Sequence, residues 1–298
     1  MTYRELYDEG VKKLTAAGVA EAELDARLLL EFVCHTDRNY MLTYGDERIT
    51  NDFEESYVNL LQERCKRIPL QYIIEETEFM GLKFYVNQDV LIPRQDTECL
   101  VEEAMKELHD GMSVLDMCAG SGCIAISLIK YKNDIRGVAV DISDKALGVA
   151  RHNSLTHGVT EQLRLVESDL FENKEEIRRA LNFLTDACST GSEDKFDCII
   201  SNPPYIRSAV IEELAPEVKD NEPRIALDGT ADGLHFYREI AKGALDFLVP
   251  GGMIFFEIGF DQGADVSDIL IENGYEDVRV TKDLAGNERV VSARLSNR

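Results

Sequence analysis

Residues 113–131 read SVLDMCAGSGCIAISLIKY: a short apolar run, a glycine loop, then an apolar segment of helical length. SVLDM suits a strand buried on both faces, Gly120 and Gly122 mark a sharp turn, and IAISLIKY continues as a helix. The alternation repeats downstream. RGVAVD (136–141) reads as a strand, SDKALGVARHNSLTHG as a helix opened by Ser143, and LRLVES (163–168) as a strand. FDCIIS (196–201), GLHFYREIAKGALDFL and GMIFFEI (252–258) follow as strand, helix and strand, and two last strands near 275–281 and 288–294 flank the turn DLAGNE. Strands alternating with helices build an α/β fold, a doubly wound and mostly parallel sheet. Residues 171–195 are polar with a weakly helical middle and are expected at the surface.

Upstream of the quoted stretch the pattern changes twice. Asp96-Thr97 precede CLVEEAMKELH and read as the cap of a helix with Leu100, Val101, Met105 and Leu108 on its apolar face. QYIIEETEFMGLKFYVNQDVLIP contains two β-rich runs separated near Met80-Gly81, the pattern of a hairpin or extended connector. In the first seventy residues, apolar side chains such as Leu6, Val11, Leu14, Leu24, Leu28, Leu29, Tyr57 and Leu61 recur at helical spacing. We therefore expect a small all-α bundle over 1–70, a hairpin-like connector over 71–95 and the α/β domain over 96–298.

Composition limits what the chain can do. The 298 residues, 44% of them hydrophobic, suffice for a sizeable core. With 32 basic and 56 acidic residues the formal charge is −24, which opposes a broad phosphate-binding surface, so direct nucleic-acid binding is not expected. Seven cysteines without a C-x-x-C pair point to reduced thiols and a cytoplasmic protein, and to no structural metal site. No stretch approaches the ~20 apolar residues of a membrane span, and the charged N-terminus MTYRELYDEG carries no signal core.

In doubly wound sheets, ligands sit outside the carboxyl ends of the strands. The loop 118–122 lies at such an end, and Asp141 closes the next strand, where a carboxylate can accept both hydroxyls of a ribose. Gly120, Gly122 and Ala125 also satisfy the dinucleotide-binding pattern, so a nicotinamide oxidoreductase is a rival. Asp116 weighs against it. An acid facing the ligand would repel a pyrophosphate and attract an ammonium, and S-adenosylmethionine carries a ribose, an adenine and an ammonium but no phosphate.

SNPPY (201–205) ends the fourth strand of the series beside the same crevice. Two prolines terminate any strand, but here they also stiffen a pair of acceptors. The side-chain oxygen of Asn202 and the carbonyl of Pro203 can take the two hydrogens of an NH2 group, and Tyr205 offers a flat face to a planar amide or base. Such an arrangement suits transfer of a methyl group to a delocalised nitrogen, whose weak nucleophilicity makes positioning the main lever.

These features resemble the class I S-adenosylmethionine-dependent methyltransferases, with a Rossmann-like, seven-stranded sheet. More specifically, PLQYI (69–73), EFMGLKFYVNQDVLIPRQDTE (78–98), DMCAGSGCIAI (116–126) and SNPPYI (201–206) resemble the HemK/PrmC family of release-factor glutamine methyltransferases. The resemblance implies transfer of a methyl group to the glutamine of the Gly-Gly-Gln loop of class 1 peptide chain release factors, with S-adenosylhomocysteine as product. It implies cofactor contacts from Asp116, Cys118, Ala119, Gly120, Ser121, Gly122, Asp141, Leu170 and Asn202. Asn202, Pro203, Pro204 and Tyr205, with Arg94, would receive the glutamine, and the helical domain would grip the factor. The chain departs from the family pattern at Cys118-Ala119, where Gly-Thr is usual, at Gln95, where a proline is common, and at Glu75, where a glycine is common. Leu170 stands where an aromatic is more frequent, with Phe171 a candidate substitute for packing on adenine.

Other readings carry less. An adenine-N6 methyltransferase acting on DNA or RNA would use the same acceptor pair after base flipping, but the charge of −24 offers it no basic groove. A non-enzymatic adaptor would not need Gly120, Gly122, Asp141 and Asn202 intact. Cys118 and Cys123 read as small packing residues, His152 and His157 as surface residues, and Glu257 as a polar group near the crevice.

Overall fold

The computed structural model describes residues 1–185 and 195–297. Its contacts divide the chain into two compact units, Met1–Glu76 with Ala215–Asn221, and Thr77–Leu214 with Glu222–Arg298. The first unit contains α1 (Tyr3–Ala16), α2 (Ala22–Cys34), α3 (Arg38–Thr43), α4 (Asn51–Cys65) and α5 (Leu70–Ile74). α1 opens on a capping box in which Thr2 and Glu5 each accept the other's backbone N–H. Leu6, Leu14, Leu29, Leu30, Tyr57 and Leu61 form the core of this unit.

Two features here correct the sequence reading. Residues 70–74 form a helix rather than the start of a β-rich run: Pro69 precedes it, Leu70 is buried, and Ile73 and Ile74 pack on the helical core. Glu75 ends it with φ of 55°, the left-handed conformation that glycine adopts most easily. The second feature is the return of residues 215–221, including the short helix Pro216–Lys219, to the helical unit. Arg64 donates to Asp25 at 2.7 Å and to Glu217 at 2.9 Å, and Arg67 reaches both oxygens of Glu217 at 2.6 Å. Partial burial pushes the Glu217 pKa up, but the two arginines draw it down to about 2.

In the second unit β1 (Glu76–Phe79) and β2 (Leu82–Tyr85) pair as a hairpin, and α6 (Gln95–Glu107) leads to the main sheet. β3 (Ser113–Met117), α7 (Cys123–Tyr131), β4 (Arg136–Asp141), α8 (Asp144–Thr156), β5 (Leu163–Glu167), α9 (Lys174–Thr185), β6 (Phe196–Ser201), α10 (His235–Gly243), β7 (Leu248–Glu257), α11 (Gly263–Glu272), β8 (Tyr275–Lys282) and β9 (Glu288–Leu295) complete it. The seven strands run in the order β5-β4-β3-β6-β7-β9-β8. β3 to β7 are parallel and β9 is antiparallel to β7 and β8. This is the expected α/β class with its doubly wound, seven-stranded, Rossmann-like sheet.

Alternate side chains of the strands serve opposite faces. Leu115, Met117, Val138, Val140 and Ile199 pack with Ile177, Leu181, Ile240 and Leu270, while Val114, Ala139, Cys198 and Ile200 pack with Leu100, Ile124 and Leu128. α9 is therefore not the loose surface segment expected of 171–195: it buries Ile177, Leu181 and Leu184, while residues 186–194 lie outside the described residues. α6 also begins earlier than expected. Its cap is Arg94, whose side chain makes no capping bond, and Asp96 instead pairs with Arg289 at 3.1 Å. The six described cysteines are free thiols, and no helix among the described residues is long and apolar enough to cross a membrane.

The arginine network generates a prediction for the helical unit. Arg64→Ala leaves the buried Asp25 carboxylate uncompensated and is expected to cost about 3 kcal/mol in urea unfolding. Adding Asp25→Asn removes the stranded charge and is expected to recover a substantial part of that loss.

Candidate active site

The sheet order reverses between β3 and β6, which opens a crevice at the carboxyl ends of the parallel strands. Register determines what enters it. Met117 pairs with both Val140 and Ser201, and Ser201 pairs with Phe256. Cys118, Asp141, Asn202 and Glu257 therefore all stand one residue past a common rung.

A cavity of about 300 Å³ occupies the crevice. Of the residues singled out in the sequence, Cys118, Ala119, Gly120, Ser121, Asp141, Leu170, Asn202 and Pro204 line it. Cys118 and Leu170 hold left-handed backbone, with φ of 63° and 46°. Two non-glycine residues in that conformation on one cavity wall mark locally strained backbone. A Cβ built on Gly120 meets nothing within 4 Å, so the backbone there faces open space. Gly122, with φ of 77°, begins α7 and is wedged against Ala150.

Asp141 is held as an acceptor. Its Oδ2 takes the Gly120 N–H at 2.8 Å and its Oδ1 the Ser143 N–H at 2.9 Å. Each oxygen keeps a second lone pair for a ligand hydroxyl. Burial raises the Asp141 pKa and these backbone donors oppose the rise. Ser143 also caps α8 as expected, accepting from the Ala146 N–H.

The remaining candidates lie outside the cavity wall. Asp116 does not line the cavity: it is fully buried on the α7 side of the sheet, where Oδ2 accepts the Ala125 N–H at 3.1 Å and Oδ1 has no hydrogen-bond partner among the described residues. The strand's alternation dictates this, since Asp116 shares a row with Ala139 and Ile200 while Met117 turns to the opposite face. Burial pushes its pKa up to about 7 against the Ala125 hydrogen bond, and Asp141 adds to the rise. Arg94 is engaged by the buried Glu222 carboxylate. Phe171 stacks on Phe247 at 5.0 Å in the core and leaves the cavity to Leu170.

Tyr205 differs most from expectation. The segment after Asn202 is fixed by its prolines and by pairing of Ile206 with Asp228, and Gln262 donates to the Tyr205 carbonyl at 3.1 Å. Gly229 permits this packing, because a Cβ there would come within 2.7 Å of the Tyr205 backbone. Held so, the Tyr205 ring packs on the core, its hydroxyl donates to Glu257 at 3.2 Å, and it is not among the residues that line the cavity. Pro203 is likewise buried and absent from the cavity wall, whereas Asn202 lines it and donates from Nδ2 to Thr97 at 3.2 Å.

Sequence reasoning missed Asp89, Asp169, His235 and Phe236, all of which line the cavity. No local motif marks them. Asp169 alone had a signal, since it follows the strand LRLVES at the same edge as Asp141.

The donor set separates the possible ligands. Three aspartates line the cavity, and among the described residues no lysine or arginine does. A pyrophosphate would be repelled, whereas a sulfonium or ammonium is attracted. Asp141 suits a ribose, and Ile142 and Leu170 supply apolar surface for a base. These residues fit S-adenosylmethionine, which Asp141 and the loop from Cys118 to Ser121 would hold.

Comparisons with known proteins agree with that geometry. The PrmC N-terminal domain family matches residues 5–74, and the methyltransferase small domain family matches residues 95–183. A release factor glutamine methyltransferase of Clostridium botulinum is 40% identical over 296 residues, covering 99% of each chain. One from Clostridium acetobutylicum is 39% identical, with 90% of each chain covered. Among solved structures, a methyltransferase from Pyrococcus furiosus aligns with a TM-score of 0.51 at 18% identity, covering 73% of this chain and 91% of its own, a likeness of fold. Identity of 40% across nearly the whole of both chains shows the family: this chain belongs to the release factor glutamine methyltransferases, which take their methyl group from S-adenosylmethionine.

Proposed function

We propose that the chain methylates the side-chain nitrogen, N5, of the glutamine in the Gly-Gly-Gln loop of class 1 peptide chain release factors, with Asn202 as the residue that receives the amide. The observation carrying this reading is the position of Asn202, on the wall of the acidic cavity and one residue past the rung that also places Cys118 and Asp141. When bound, S-adenosylmethionine supplies a methyl carbon on a positively charged sulfur and leaves as neutral S-adenosylhomocysteine. The protein's task is to hold the nitrogen in line with that carbon. Asn202 Oδ1 accepts an amide hydrogen, which localises lone-pair density on a nitrogen that resonance otherwise weakens. The acidic wall favours the charged donor over the neutral product.

The other assignments follow from placement. Pro204 and Leu170 bound the cavity, Tyr205 anchors the acceptor segment through Glu257, and Arg94 braces the connector through Glu222. The helical domain over 1–70 grips the factor, and the connector over 71–95 leads into the methyltransferase domain over 96–298. A charge of −24 and a cavity wall without lysine or arginine among the described residues support a protein partner and oppose a nucleic acid as substrate, and the cysteines without a C-x-x-C pair support a cytoplasmic location.

Two measurements check the reading. Asp141→Asn turns an NH2 group toward a backbone N–H and is expected to weaken S-adenosylmethionine binding roughly tenfold or more by calorimetry, with no binding of NADH to either protein. With labelled S-adenosylmethionine and a release factor, the wild-type chain is expected to transfer one methyl group, and Asn202→Ala to abolish transfer while retaining the cofactor. Equal labelling of a factor whose Gly-Gly-Gln glutamine is replaced would overturn the assignment, and labelling of DNA adenine instead would favour the nucleic-acid reading.

A further inference from the structure

Gln262 stands at a helix cap and does no capping. It immediately precedes α11, yet its side chain makes no capping bond and the residue is 2% exposed. Its amide serves three loops at the carboxyl end of the sheet instead. Nε2 donates to the Tyr205 carbonyl at 3.1 Å and to the Gly233 carbonyl at 3.2 Å. Oε1 accepts the Gly259 N–H at 2.9 Å and lies 3.3 Å from the Tyr237 hydroxyl. A backbone N–H can only donate and a carbonyl can only accept, so these partners leave the amide a single orientation.

Two glycines make room for it. A Cβ on Gly233 would come within 2.5 Å of the Tyr205 carbonyl oxygen and 2.8 Å of Gln262 Nε2, and one on Gly259 within 2.9 Å of Gln262 Oε1. The loops it fastens border the site. Tyr205 follows Asn202 across two prolines, Gly233 precedes His235 and Phe236 of the cavity wall, and Gly259 lies two residues past Glu257.

Resting on the function proposed above, we infer that Gln262 is a positioning residue: it holds the segment carrying Asn202 at a set distance from the cavity wall of Thr230, His235 and Phe236. On the sheet side Asn202 is fixed by Ser201, whose hydroxyl donates to the Met117 carbonyl. On the other side Pro203 and Pro204 have fixed φ, so a shift of the Tyr205 backbone passes to Asn202. The Tyr205 and Gly233 carbonyls share one NH2 group, which ties the acceptor segment directly to the wall. Without that donor the spacing rests on the pairing of Ile206 with Leu227 and Gly229. In-line transfer to a weak nucleophile is sensitive to such a change, since a misplacement of about 1 Å costs on the order of a hundredfold in rate. The loss falls on turnover, because Asp141 and the loop from Cys118 to Ser121 are carried by β3 and β4 and do not bond to Gln262.

The test compares Gln262→Glu with Tyr237→Phe. The first keeps the shape but replaces the NH2 donor with an oxygen, and the second removes a hydroxyl from the Oε1 side and leaves both Nε2 bonds in place. Gln262→Met, which removes the donor without adding a charge, repeats the first test should the glutamate variant fail to fold. For each, kcat and KM for the release factor, S-adenosylmethionine affinity by calorimetry and thermal unfolding are measured, with the kinetics run where every variant is folded. The Gln262 variants are expected to lose roughly ten- to a hundredfold in kcat, with KM and cofactor affinity within about twofold of wild type. Tyr237→Phe is expected to keep the wild-type kcat although it unfolds at a lower temperature. A wild-type kcat in the Gln262 variants, an equal loss of kcat in Tyr237→Phe, or a loss of cofactor affinity matching the loss of kcat would each overturn the inference. A wild-type enzyme that leaves the factor unlabelled would instead overturn the function on which it rests.

Discussion

One rung of the sheet organises the second unit. Met117, Val140, Ser201 and Phe256 lie side by side on four parallel strands, and the residues that follow them are Cys118, Asp141, Asn202 and Glu257. Parallel strands in register must end together, and the reversal of strand order between β3 and β6 keeps their ends uncovered. Because the apolar core fixes the register, a slip of one residue would turn Met117 and Val140 to the opposite face, into the packing of Leu100, Ile124 and Leu128, and displace the site with them.

Electrostatics then sorts the acids by depth. Asp89, Asp141 and Asp169 line the cavity, where they favour a cationic donor and oppose a phosphate. Asp116 and Glu257 lie behind it, each with one satisfied and one unsatisfied oxygen. A buried carboxylate destabilises the fold unless neighbours donate to it, so both sit where a donor is fixed: the Ala125 N–H at the start of α7, and the Tyr205 hydroxyl under the acceptor segment. The acceptor segment is held by packing from its other side as well, through Gly229 and Gln262.

Much of this was legible in the sequence, and the limits have physical causes. Strands buried on both faces announce themselves as apolar runs, so the bounds of β3, β4 and β6 follow directly from SVLDM, RGVAVD and FDCIIS. Asp141 and Asn202 could be picked out because each stands at the end of such a run, and Gly120 because it lies in the loop that follows one. Asp116 was misjudged because proximity to the loop says nothing about which sheet face a side chain serves. Tyr205 was misjudged because its direction depends on the distant partners Glu257, Asp228 and Gln262. Thr97 looked like part of a helix cap, and its bond to Asn202 joins residues 105 positions apart, a separation at which no local pattern operates. The return of residues 215–221 to the helical unit was hidden for the same reason, since it depends on Glu217 meeting Arg64 and Arg67.

The central claim is that the row of residues past this rung presents Asn202 as an acceptor to a neutral amide beside a ribose held by Asp141. A crystal structure with S-adenosylhomocysteine and a peptide carrying the Gly-Gly-Gln sequence tests it most directly. The account predicts the glutamine NH2 within hydrogen-bond reach of Asn202 Oδ1, Asn202 Nδ2 on Thr97, and the ribose hydroxyls on Asp141. A glutamine bound through its oxygen to Asn202 Nδ2, or a ribose away from Asp141, would contradict it.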